Sequence, residues 1–142
     1  MIEAGVTTIP GASAPPARRG ERPPAADHAA SQPGPAIDLV HLGRMTLGER
    51  SLEAEVLALF DRQADMLLAR MMSASPPAVA AFAHTLKGSA RGIGAWRVGE
   101  AAQAVEAATC SSVAADLAQA VEQLAAAIRE ANAAIEKILA DR

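Results

Sequence analysis

Residues 83–94 read AHTLKGSARGIG, and the way this stretch divides between two faces decides the fold. At 100° per residue, with His84 set at zero, Val79, Phe82, Ala83, Leu86, Ala90 and Ile93 fall between about 160° and 260°. That single apolar arc predicts an amphipathic helix from Pro76 to about Arg91. On the same wheel Lys87, Gly88 and Arg91 fall within about 60° of His84, at i+3, i+4 and i+7, on the face turned away from the core. A glycine inside a helix costs about 1 kcal/mol relative to alanine. In a chain so rich in alanine, an exposed glycine one turn from a histidine calls for a reason beyond the helix.

Outward from this segment the pattern stays helical. Upstream, Leu52, Val56, Phe60, Leu67 and Met71, widened by Leu57, Leu59, Ala64 and Leu68, make an apolar stripe over about Ser51 to Met72. SASPPA then gives a stop and a restart, with Ser75 as N-cap and Pro76 at the first helical position. Before the stripe, Asp38 caps a short helix, LVHLGRM, that Gly43 and Gly48 interrupt or end. Downstream, a helix from Ala95 to about Ala108 carries Trp96, Val98, Ala102 and Val105 as burial candidates. Thr109 to Ser112 read as a turn ending in a serine cap. A last helix follows on Leu117, Val121, Leu124, Ile128, Ile135 and Ile138. Four substantial helices with short connections predict an all-α fold, an antiparallel four-helix bundle with a short additional N-terminal helix.

The chain is 142 residues long, and residues 11–35, GASAPPARRGERPPAADHAASQPGP, hold most of its proline with no sustained apolar period. Such a stretch buries too little to offset the entropy of ordering. Residues 1–35 are therefore expected to be a disordered tail, with His28 as a solvated spacer, and residues 36–142 to be the bundle. The formal charge of −3 arises after Pro35, and no basic face is available for nucleic acid. One cysteine, Cys110, forms no internal disulfide and belongs to no CxxC or haem motif. No segment of the sequence has the length and apolarity of a membrane span or the layout of an export signal. These features fit a cytoplasmic protein with no membrane partner.

The exposed face of the histidine-bearing helix has a chemical reading. Imidazole, with an unperturbed pKa of about 6.5, is largely neutral near pH 7 and is then a nucleophile that needs no base. Lys87 is a mobile point charge suited to an anion arriving on that ring. Gly88 removes a side chain where a partner's surface must approach, and Arg91 widens the positive field. Singly, each of these residues reads as ordinary solvated surface. Their concurrence with an exposed helical glycine favours a site that receives a phosphoryl group. His41, on the short helix, lacks metal-ligand spacing and reads as packing or solvated surface, not chemistry.

HTLKGSARGIGA, residues 84–95, resembles the signature of the histidine-containing phosphotransfer domain, the HPt module of multi-step two-component phosphorelays. The flanking EVLALFDRQADMLLARM and AAQAVEAA are also similar to that family, so the likeness spans about residues 37–140. The resemblance implies a phosphocarrier whose His84 accepts a phosphoryl group from a receiver-domain phosphoaspartate and passes it to another receiver aspartate. It gives Lys87 the role of stabilising the phosphate and Gly88 that of admitting the partner; Arg91, by its charge, is expected to aid docking. An ungapped count puts Glu106 where the family often has a glutamine near the histidine. An ionised carboxylate only accepts hydrogen bonds, so Glu106 is expected to orient the imidazole; a solvated helix carboxylate is the alternative. The implied partners are response-regulator receiver domains and a hybrid sensor histidine kinase, and the implied state is a monomer. No cofactor is expected, the magnesium belonging to the receiver, and no glycine-rich nucleotide loop suggests an ATP site. The competing reading is a non-catalytic helical adaptor. A sensor-kinase dimerisation domain fits poorly, because Thr85 stands where an acid should follow the histidine and no proline occurs after Pro77.

Overall fold

The computed structural model describes residues 34–142. Five helices follow one another, α1 (Leu39–Met45), α2 (Arg50–Met71), α3 (Pro76–Ile93), α4 (Trp96–Ala108) and α5 (Ala114–Ala140), and no strand occurs among the described residues. The tail expected over residues 1–35, His28 included, lies outside the described residues save for Gly34 and Pro35. Each long helix packs on its neighbours in the chain, and α5 returns to α2. This is the antiparallel four-helix bundle that short connections impose. Among the described residues, no helix is long and apolar enough to cross a membrane.

The core draws on all four long helices: Leu57, Phe60 and Leu67 from α2, Val79 and Leu86 from α3, Val98 and Val105 from α4, and Leu124, Ile128 and Ile135 from α5. Packing is closest between α3 and α4, where Ala83, Ala90, Gly99 and Ala102 are all buried. Small side chains there let the two backbones approach, and the face that carries His84 is built on this pair.

On α2 the stripe differs from the expected one. The buried positions are Glu53, Leu57, Phe60, Ala64, Leu67 and Met71, a steady alternation of four and three residues. Leu52 is 39% and Leu59 58% exposed, so neither belongs to the core. The register is hidden because its first member is a glutamate. Glu53 is buried by virtue of its partners: Arg142 Nη1 lies 2.7 Å from Oε1, and Thr46 Oγ1 donates to Oε2 at 3.3 Å. An acid can occupy a core position only when it is paired in this way.

The ends of the helices explain how α1 is held. Asp38 accepts from His41 N at 3.0 Å, the cap expected of it, and also from Trp96 Nε1 at 3.0 Å. Its own N–H donates to Gly94 O at 2.9 Å. Gly94 closes α3 in the left-handed region at φ 82°, and a Cβ there would meet Asp38 O at 2.8 Å. Glycine is thus required twice over, by conformation and by contact. His41 packs on Trp96 with ring centroids 4.8 Å apart, the packing alternative of the two the sequence left open. Gly43 does not interrupt α1; the chain turns at Leu47 and Gly48, both at positive φ. Ser75 occupies the N-cap of α3 with Pro76 next, yet its side chain makes no capping bond. At α5 the serine that matters is Ser111 instead of Ser112. Its Oγ accepts from Val113 N at 3.0 Å and donates to Asp116 at 2.7 Å.

Candidate functional site

The apolar arc of α3 is oriented as its sequence predicts. Val79, Ala83, Leu86, Ala90 and Ile93 are buried and Phe82 is half-buried. Burying that arc turns His84, Gly88 and Arg91 to the outside, where all three are exposed. The His84 side chain is 67% exposed. Lys87 lies nearer the seam with α4 and is only 18% exposed. A Cβ built on Gly88 would meet nothing within 4 Å. Helix packing therefore does not require glycine at this position, and the space beside His84 is open.

From α4, Glu106 reaches across to His84 and Lys87 of α3. Its Oε2 lies 3.1 Å from His84 Nδ1, and Lys87 Nζ donates to its Oε1 at 2.9 Å. The hydrogen bond from the Lys87 ammonium, helped by the charge of Lys87 and by His84, holds the Glu106 carboxyl below the usual carboxylate range, against a smaller opposing effect of burial. An ionised carboxylate has no proton to give, so the Nδ1 side of the ring must supply the one they share. In the neutral ring this contact places the proton on Nδ1 and leaves the lone pair on Nε2. Nε2 has no hydrogen-bond partner among the described residues.

Three of the residues singled out from sequence, His84, Lys87 and Glu106, thus meet in one cluster. Lys87 was expected to face an arriving anion; it already holds one, the Glu106 carboxylate. Arg91 is not part of that cluster. Its Nη2 donates to Gln103 Oε1 at 2.8 Å, and its stem crosses Gly99, where a Cβ would come within 3.2 Å of Arg91 Cγ. Gln103 and Gly99 escaped the sequence reading. The signal for Gln103 was available, since it precedes Glu106 by three residues and so shares its helix face. Gly99 could be found only once α3 was laid against α4. Cys110 is exposed and free.

The site therefore has an outward imidazole bonded through Nδ1 to a carboxylate, an ammonium behind that carboxylate, and an open approach past a glycine. The family model described as Hpt domain matches residues 55–138. No curated protein and no solved structure matches significantly.

Proposed function

The chain belongs to the Hpt domain family, whose members carry phosphoryl groups on histidine in phosphorelays and are not kinases, and on that premise we propose that His84 is its phospho-accepting residue. A receiver domain bearing a phosphoaspartate docks over α2 and α3. Nε2 attacks phosphorus in line, the N–P bond forms as the P–O bond to the aspartyl carboxylate breaks, and the carboxylate leaves with the electron pair. Reversal against another receiver's aspartate hands the group on. Catalysis of this kind is mostly positioning and charge stabilisation.

In this reading Gly88 admits the partner, Lys87 stabilises the phosphoryl oxygens, Glu106 orients the ring and Arg91 contributes to docking. Magnesium is supplied by the receiver, and the chain uses no ATP of its own. The observation that carries the reading is the Glu106 bridge to His84 Nδ1 at 3.1 Å, which directs the other nitrogen of an exposed ring toward solvent. Incubation with a receiver domain labelled on its aspartate tests it. Label is expected on the wild type, labile in acid and stable in base, and absent from His84→Gln. Retention of label by His84→Gln would refute the assignment; binding of the receiver with no transfer would return the protein to the adaptor class.

A further inference from the structure

Building on that reading of His84, we propose that Glu106 is a positioning residue that keeps the proton on Nδ1 after Nε2 has been phosphorylated, and thereby primes the phosphohistidine to give its phosphoryl group away. The observation behind this is the two-armed carboxylate. One oxygen takes the ring proton at 3.1 Å, and the other is pinned by Lys87 Nζ at 2.9 Å, so the acceptor cannot swing freely away from the ring.

The chemistry follows from the leaving group. When the N–P bond breaks, its electron pair stays on Nε2. If Nδ1 carries its proton, the phosphorylated ring is an imidazolium and departs as neutral imidazole. If Nδ1 is bare, the departing species is imidazolate, a much stronger base and a poorer leaving group. An anion placed on Nδ1–H favours the protonated ring. A neutral amide at position 106 would accept the same hydrogen bond without opposing its loss by charge. The charged groups around the ring are few. Glu106 on α4 touches it, Lys87 stands one turn along α3 against the other carboxylate oxygen, and Arg91, two turns along, is held by Gln103. Among the described residues, α2 and α5 make no hydrogen bond or ion pair with the ring.

The full chain and its Glu106→Gln, Glu106→Ala and His84→Gln variants would be treated with phosphoramidate, a small donor that needs no receiver. Nε2 forms its bond to phosphorus as the donor's own N–P bond breaks and ammonia leaves. Loss of the adduct, followed by phosphorus NMR from pH 5 to 10, should slow as Nδ1 gives up its proton. The midpoint of that profile should fall by about one pH unit in Glu106→Gln and Glu106→Ala. Above both midpoints the variant adduct should then persist roughly tenfold longer. An unchanged midpoint overturns the proposal, even if the adduct lives longer at every pH, because a uniform change would report only the release of Lys87. Absence of label on the wild type, or its presence on His84→Gln, would instead overturn the assignment of His84 itself.

Discussion

Gly88 is the residue at which stability and access separate most cleanly. It lies in the middle of α3, exposed, with open space where a Cβ would stand. Nothing in the packing opposes a larger residue. Gly88→Ala should raise stability by up to about 1 kcal/mol through helix propensity. Gly88→Gln keeps most of that gain but puts a long side chain over the approach to His84. Thermal denaturation and receiver-dependent labelling of one preparation decide the matter: unchanged or higher melting temperature with transfer at least tenfold slower is expected. Normal transfer in Gly88→Gln would remove access as the reason for the glycine. At this scale the sequence was informative, because one helical wheel separates His84, Gly88 and Arg91 from the buried arc. The wheel cannot show which charges pair across a seam. That is why the wheel points Lys87 at an incoming anion while the fold sets it against the Glu106 carboxylate.

Between elements, the seam of α2 and α5 gathers like charge: Asp65 accepts from Asn132 Nδ2 at 3.0 Å, while Asp61 and Glu136 make no ion pair among the described residues. Burial, Asp65 and Glu136 raise the Asp61 carboxyl above its ordinary range, and Arg62 only partly offsets them. An acid whose folded-state pKa is raised penalises the fold when it is charged. The penalty is absent below the unfolded value near 3.8 and grows as pH rises through the folded value. Asp61→Asn should therefore stabilise the protein at pH 7 by roughly 0.5 kcal/mol or less and have no such effect at pH 3. Melting temperatures at the two pH values check this, and an equal gain at both would assign the effect to something other than charge. The boundaries of the helices were legible from caps, prolines and periodicity. The register of α2 was not, because an apolar stripe counted from Leu52 competes with one counted from Glu53. Arg142 and Thr46, both outside α2, make the second register possible by pairing Glu53.

For the molecule as a whole, the bundle was readable because four amphipathic segments with short connections leave few other ways to bury their apolar faces. Tertiary contacts between distant segments, such as Trp96 with Asp38, were not, since neither periodicity nor composition encodes them. Composition also gives residues 1–35 little to bury. Deleting them should leave both the melting temperature and the receiver-to-His84 transfer rate unchanged within error, and a clear fall in either would show that the stretch contributes to the bundle or to docking. The site itself is drawn from α3 and α4 alone, two helices packed through small residues, with no loop in it. A carrier of that construction has one landing place. A donor and an acceptor that both need the ring cannot be bound at the same time, so each cycle requires one to depart before the other arrives. On the proposed assignment of His84, an excess of unphosphorylated donor receiver should then compete with the acceptor for the loaded carrier and slow onward transfer.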